Sequence, residues 1–140
     1  MTNYWLCVTN EENWNIIKEK HIWGLPEKSG KRFISDIKPG DFLIFYVAPK
    51  KVGGIFKVIS EPFESREKTF ISSRVKKDEI FPYRVKIEPV VVPKELLPFE
   101  EVAKKLSFLS GVRYWSVRLR RAMIKIPPED FETLFKFISP

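Results

Sequence analysis

Arginine and aromatic side chains occur together in one short stretch, Arg113-Tyr114-Trp115-Ser116-Val117-Arg118. The stretch lies in a window from Lys104 to Lys125 that holds seven basic residues and no acidic residue, a surplus equal to the +7 net charge of the whole chain. Indole faces beside guanidinium groups hold unpaired bases while the cations contact phosphates. The clustered charge favours a polyanionic partner, although a solvated basic face would carry the same charge.

Aromatic residues are abundant, with four Trp, four Tyr and twelve Phe among 140 residues. Most of the Phe residues are expected in the hydrophobic core. Trp115 fits a core position and a binding position equally well, because it stands inside the basic window.

Residues suited to covalent or acid–base catalysis are scarce. His21 is the only histidine and belongs to an amphipathic helix face, where a packed or surface imidazole is expected. Cys7 is the only cysteine, so an internal disulfide is excluded, and its place among large apolar residues of a strand predicts an inert buried thiol. The chain has neither a P-loop nor a GxGxxG motif. We therefore expect no enzyme activity, no metal and no cofactor.

Length and composition predict one globular domain that spans residues 1–140. Hydrophobic residues make up 44% and charged residues 31% of the chain, and no apolar run approaches the ~20 residues of a membrane span. The N-terminal residues resemble a first strand and not a signal peptide, so a cytoplasmic protein is the simplest expectation. The chain contains no glutamine but many Lys and Glu residues, which indicates a thermophilic source.

Two apolar runs, Leu43–Val47 and Val52–Ile59, predict neighbouring central strands that are covered on both faces. Pro39-Gly40 predicts the turn that leads into the first of them, with a positive φ at the glycine. Gly53-Gly54 predicts a β-bulge or a close approach of another group to the backbone.

The remaining elements follow from periodicity and turn residues. Asn3–Thr9 predicts a first strand, and Thr9 with Glu12 predicts a capping box for a helix that ends near His21 and is closed by Trp23-Gly24-Leu25-Pro26. In a long strand over 81–92, Arg84 is expected on a solvent face. Further elements are a helix from Pro98, a strand over 122–126 and a terminal helix with Phe131, Leu134, Phe135 and Ile138 inward. The order predicts an α+β domain with a small, curved mixed sheet or partly open barrel and helices packed on it.

Three segments carry a family resemblance: YWLCVTNEENWNIIKEKHIW from Tyr4 to Trp23, followed by KPGDFLIFYV and VGGIFKV. They resemble the EVE-domain family, which is PUA-like and related to the YTH domains that read methylated adenine in RNA. The resemblance covers nearly the whole chain. It implies a compact, mixed β-barrel flanked by helices.

The resemblance also implies a base-binding pocket. In the related readers, polar residues at the end of the first strand and in the first helical turn bind the inserted base, and a Trp ten positions after an Asn forms one wall. Asn13 and Trp23 have this spacing here, and Thr9 and Asn10 occupy the strand end. Candidates for the second wall are Phe70, Phe81 and Tyr83. Gly24 replaces the small hydroxyl residue that usually follows the Trp in YTH domains, so one polar contact is lost.

The sequence by itself favours simpler roles for two of these residues. Thr9 would serve as a helix cap, which is compatible with a ligand contact, and Asn13 would be a solvent-exposed residue of the first turn. Trp23 is assigned to the pocket rather than to the core because of the resemblance.

The sequence therefore predicts a non-catalytic module that binds RNA or DNA and places a modified or flipped base in an aromatic pocket. The flanking phosphates would be held by basic residues of the charged window and by the loop from Arg66 to Lys77; those of the window are Arg113, Arg118, Arg120, Arg121 and Lys125. A monomer without membrane contact is favoured. The alternatives are a domain for a small anionic or aromatic metabolite, a protein-interaction module, and an enzyme whose pocket includes His21.

Overall fold

The computed structural model describes residues 2–26, 30–31, 34–67, 81–111, 119 and 122–140. The described residues form eight strands: β1 (Tyr4–Asn10), β2 (Ile22–Leu25), β3 (Phe42–Ala48), β4 (Lys51–Val58), β5 (Phe63–Glu64), β6 (Tyr83–Val91), β7 (Leu97–Pro98) and β8 (Met123–Ile126). Their helices include α1 (Glu11–Lys20), α2 (Glu100–Ala103) and α3 (Pro128–Ile138) and a 3₁₀ helix over Ser107–Leu109. No helix of the described part is both long and apolar enough to cross a membrane.

The strands form one mixed sheet in the order β2-β6-β4-β3-β1-β8, with β5 paired to β6 and β7 paired to β4. β1 and β3 run parallel, from the pair Tyr4–Phe42 to the pair Asn10–Ala48. The other pairings are antiparallel. The two predicted central strands are confirmed as β3 and β4.

The sheet is strongly curled, as a contact between distant strands shows. The rings of Trp23 on β2 and Phe45 on β3 meet edge to face with centroids 5.3 Å apart, although β6 and β4 lie between these strands. In a flat sheet, three strand spacings would separate them by about 14 Å. The contact therefore requires a curled sheet in which the two side chains meet on the concave side. The predicted partly open barrel of α+β class is confirmed.

Hydrophobic residues fill both sides of the curled sheet. We call the group around Phe45 the concave core; it includes Trp5, Cys7, Trp14, Ile17, Trp23, Val47, Phe56, Val85 and Met123. The convex core packs α2, the 3₁₀ helix and α3 against the other face, through residues such as Leu6, Ile44, Phe99, Val102, Leu109, Leu134 and Ile138. Helix α1 lies on the concave side, because Trp14 contacts both Phe45 and Phe56.

Two buried aspartates connect separate segments of the fold by hydrogen bonds. Asp41 is 1% exposed and accepts hydrogen bonds from the backbone N–H groups of Asn3 and Lys38 and from Trp5 Nε1. The predicted turn before β3 is confirmed, since Gly40 has a φ of 96° and Asp41 N donates to Lys38 O. Asp130 at the start of α3 accepts from the backbone N–H groups of Ser107 and Phe108. Each buried carboxylate is thus paired with several donors.

Several sequence-based details of the elements are wrong. Trp23 does not merely end a helix but belongs to a strand, β2. Pro98 lies in β7, and only the single turn of α2 and the 3₁₀ helix follow it in place of one longer helix, although Phe99, Val102, Leu106 and Leu109 are all buried as expected. Phe135 of α3 is 39% exposed and does not face inward.

The two predictions for Gly53-Gly54, a β-bulge and a close approach of another group to the backbone, are both confirmed at Gly53. The register of β3 and β4 shifts so that Phe45 pairs with Gly54 but Tyr46 with Val52, which leaves Gly53 as the extra residue of a bulge. The Trp14 ring also lies against the backbone there, since a Cβ on Gly53 would stand 2.5 Å from Trp14 Cε2. Helix α1 can therefore approach the sheet only where a side chain is missing.

We predict that Gly53→Ala destabilises the protein by about 1–3 kcal/mol, because the added methyl overpacks the contact with Trp14. Urea unfolding monitored by circular dichroism measures the change. In a Trp14→Leu background the same substitution should cost much less, because the ring that it meets is gone. An equal cost in both backgrounds would show that backbone strain and not the clash is responsible.

Candidate functional site

The end of β1 delivers two polar residues to the start of α1. Thr9 is 8% exposed and alternates with Trp5 and Cys7, so its side chain lies on the concave side of the sheet. Asn10 is exposed, and its Oδ1 accepts a hydrogen bond of 2.7 Å from Asn13 N. Asn10 and not Thr9 is therefore the N-cap of α1, which corrects the predicted capping box.

Asn13 is buried in the first turn of α1, at 7% exposure, on the same helix face as Trp14 and Ile17. The solvent-exposed position that the sequence alone favours for this residue is wrong. Its amide carries both donor and acceptor groups, and burial of such a group costs free energy unless it is hydrogen-bonded. Asn13 thus brings hydrogen-bonding capacity to the edge of the concave core.

Trp23 enters the concave core from β2, where it pairs with Val85 of β6. Its side chain is 5% exposed, and its ring meets Phe45 at an interplanar angle of 75°. The indole Nε1 is buried and has no hydrogen-bond partner among the described residues. By contrast, Trp5, 3% exposed in the same core, donates from Nε1 to Asp41 Oδ2 at 3.2 Å.

Phe81 and Tyr83, the candidate second wall, are half-buried and pack against the concave core. Tyr83 pairs with Leu25 of β2, two positions from the Trp23–Val85 pair. Phe81 has a φ of 56°, in the left-handed region that an aromatic residue rarely adopts. The structure thus brings Phe81 and Tyr83 to the same core as Trp23. Phe70, the third candidate for this wall, lies outside the described residues.

Arg84 fixes the backbone around this wall. The predicted solvent-facing position is wrong, because Arg84 is 2% exposed. Its Nε donates to Phe81 O at 3.0 Å, and its terminal nitrogens donate to Ser65 Oγ and to Glu67 O. Burial lowers the pKa of the guanidinium, and the Glu67 carboxylate opposes that shift. One side chain therefore connects residues 65–67 to residue 81, the two ends of an intervening segment.

Of the predicted phosphate-binding residues, the structure describes Lys125. It is exposed on β8 and pairs with Trp5 of β1, so it extends from the edge of the sheet on the concave side. The other predicted contacts, Arg113, Arg118, Arg120 and Arg121, lie outside the described residues, as does Trp115. Their role stays a prediction.

The two residues with catalytic potential, Cys7 and His21, lie in different surroundings. Cys7 is completely buried, and burial raises the pKa of its thiol well above the ordinary value. His21 is exposed at the end of α1, with its ring against Phe56. In the described part of the chain no three His, Cys, Asp or Glu side chains could share a metal ion.

The sequence profile of the EVE domain matches residues 3–137. The chain belongs to the EVE-domain family. A UPF0310 protein from Pyrococcus abyssi is 37% identical in an alignment of length 142 that covers 94% of this chain and 96% of that protein. The Pyrococcus source of this relative agrees with the thermophilic origin that the composition predicts for this chain.

Solved YTH domains share the fold of this EVE domain. The YTH domain of Zygosaccharomyces rouxii MRB1, solved in complex with N6-methyladenosine RNA, has a TM-score of 0.68 at 15% identity and covers 99% of this chain and 88% of that chain. The YTH domain-containing protein Mmi1, solved as an RNA complex, has a TM-score of 0.67 at 18% identity, with 98% and 81% covered. The predicted PUA-like fold is confirmed.

Sequence reasoning missed β2, the burial of Arg84 and the unpartnered indole nitrogen of Trp23. For β2 a signal exists: Ile22-Trp23-Gly24-Leu25 is a short apolar run that ends at a proline. For Arg84 no signal exists, because its partners Ser65 and Glu67 are brought near only by the fold.

We predict that Trp5→Phe lowers the free energy of unfolding by about 1–3 kcal/mol more than Trp23→Phe does. Both substitutions remove the same ring volume from the same core, but only Trp5→Phe breaks a hydrogen bond to a buried carboxylate, whereas Trp23→Phe removes an unpartnered donor. Paired urea titrations measure the difference. Equal destabilisation would mean that Trp23 Nε1 has a partner of similar value in solution.

Proposed function

We propose that this EVE domain is a non-catalytic nucleic-acid-binding module that takes one unpaired or flipped base, in particular a modified one, into a pocket beside Trp23. The observation that carries the proposal is the burial of Asn13 at the edge of an aromatic core that also holds an unpartnered indole N–H. A buried donor without a partner, as at Trp23 Nε1, costs stability. A site that must recognise a base needs hydrogen-bonding groups for the edge of the base and aromatic rings for its faces.

The described geometry supports a division of roles. Thr9, Asn10 and Asn13 at the junction of β1 and α1 would contact the edge of the base, with Asn13 supplying both a donor and an acceptor. Trp23 would provide one wall, and Phe81 and Tyr83 the other. A base between aromatic side chains gains about 1–3 kcal/mol from stacking.

The charge distribution supports a polymeric ligand. Lys125 is exposed at the sheet edge on the concave side, and the sequence places four arginines of the same window close to it in the chain: Arg113, Arg118, Arg120 and Arg121. Cations in such a group would hold the phosphates that flank the inserted base.

The comparisons support the same class of ligand. The two YTH domains described above were solved with RNA, one of them with N6-methyladenosine RNA. At 15–18% identity the likeness concerns the fold. For this chain we propose RNA or DNA with an altered or unpaired base, without assigning one modification.

We predict that Trp23→Ala abolishes the difference in affinity between modified and plain oligonucleotides, because the wall that contacts the base is lost. The measurement is fluorescence anisotropy over single-stranded RNA and DNA oligonucleotides that contain N6-methyladenine, 5-methylcytosine or only standard bases. Phe135→Ala, at an exposed aromatic residue of α3, is the matched control and should leave discrimination unchanged. Undiminished discrimination by Trp23→Ala would contradict the proposed pocket.

We predict that Arg120→Ala and Lys125→Ala each weaken binding to modified and plain oligonucleotides alike. Each should also make the negative slope of log affinity against log salt less steep, by roughly one. Titrations at two salt concentrations measure this. Lys18→Ala, on α1, is the control for loss of one positive charge. Tight binding of free nucleotides that hardly depends on salt would instead favour a small-metabolite domain.

A further inference from the structure

The nitrogen of Trp23 is the one buried side-chain nitrogen or oxygen among the described residues for which no hydrogen-bond partner is found. Other buried polar side chains of the fold are bonded at several points: Asp41 accepts from the N–H groups of Asn3, Lys38 and Trp5, and Arg84 donates to oxygens that include those of Phe81, Ser65 and Glu67. An unpartnered donor in an apolar core is unfavourable, because the N–H has lost its hydrogen bonds to water without replacement. The exception at Trp23 therefore calls for a physical explanation.

A purely structural role does not require this nitrogen. Packing against Phe45 uses the carbon skeleton of the ring, and a phenylalanine would provide an aromatic contact without a donor. Trp5 shows how the same fold treats a structural indole, since its Nε1 is directed at Asp41 Oδ2. The donor of Trp23 thus distinguishes this residue from an ordinary member of the core.

We propose that the bound base accepts a hydrogen bond from Trp23 Nε1–H, through a carbonyl oxygen or an unprotonated ring nitrogen. This inference rests on the proposed function and specifies how the site selects its ligand. Because the N–H lies in the plane of the indole, Trp23 would meet the edge of the base, and stacking on its faces would come from Phe81 and Tyr83. Together with the amide of Asn13, the donor would read two points on the base.

Because the donor is buried, the contact would select for bases that carry a hydrogen-bond acceptor. Trp23 is 5% exposed and its Nε1 is not accessible to solvent, so a base can reach the atom only if the packing around the indole edge opens. A base with an acceptor in the right place offsets the cost of opening by a hydrogen bond. A base without one leaves the donor unpaired, and sites of this kind reject such ligands strongly.

The test follows the indole N–H directly by nuclear magnetic resonance. Protein labelled with ¹⁵N gives one indole signal for each of its four tryptophans, and the signals are assigned with the variants Trp23→Phe and Trp5→Phe. Saturation with the tightest oligonucleotide of the fluorescence screen should move the Trp23 indole proton downfield, as a new hydrogen bond requires, and leave the Trp5 signal in place. An unchanged Trp23 signal in the saturated complex would overturn the inference.

A second variant separates the donor from the ring. Benzothienylalanine at position 23 keeps the bicyclic shape but replaces the N–H by sulfur. We expect affinity for the same oligonucleotide to fall about tenfold or more, which corresponds to 1.4 kcal/mol, whereas a ring that acts only as a wall predicts no change. If this variant and the indole signal show no effect while Trp23→Ala abolishes discrimination, the hydrogen bond is refuted and the pocket stands. If no oligonucleotide binds the unaltered protein, the proposed function itself fails.

Discussion

The parallel pairing of β1 with β3 is the constraint on which the arrangement of the site depends. Because the strands run in the same direction over seven residue pairs, Thr9 and Asn10 reach the same edge of the sheet as Val47 and Ala48. Parallel neighbours need a crossover connection, and α1 begins that crossover directly after Asn10. The first turn of α1, with Asn13, is therefore held over the edge of the concave core.

The approach of α1 to the sheet depends in turn on a missing side chain. Trp14 lies where Gly53 forms the bulge of β4, and its ring reaches Phe45 and Phe56. From the opposite side of the curl, Trp23 reaches the same Phe45. Phe45 is thus the common contact through which the helix and β2 are packed, and the position of Trp23 relative to Asn13 follows from the closure of the sheet around this ring.

Buried polar groups divide into two kinds in this domain. Asp41 and Asp130 join separate elements, and Arg84 joins the two ends of a segment; all are bonded within the chain. Their free-energy cost is offset by hydrogen bonds, and they define how the elements meet. The indole N–H of Trp23 in the concave core has no such partner among the described residues.

Much of the fold could be predicted from the sequence because the signals are local. The apolar runs of β3 and β4, the Pro39-Gly40 turn and the Gly53 bulge follow from residue type and spacing, and the EVE resemblance added the PUA-like fold. The same resemblance selected Asn13 and Trp23. By itself, the sequence would have left Asn13 on the surface, since an asparagine in a first helical turn is usually exposed.

The sequence alone determined the central strands β3 and β4, the turn before them and the positive charge, since each of these is set by residue types and by neighbours along the chain. Only the tertiary structure decided that Trp23 packs against Phe45, that Arg84 is buried and that the Trp23 nitrogen lacks a partner. Those properties depend on atoms far away in sequence: Phe45 across the curled sheet, and the oxygen atoms of Ser65 and Glu67 around Arg84. A local pattern carries no information on which distant atoms will surround a side chain, and burial and hydrogen bonding are set by those atoms.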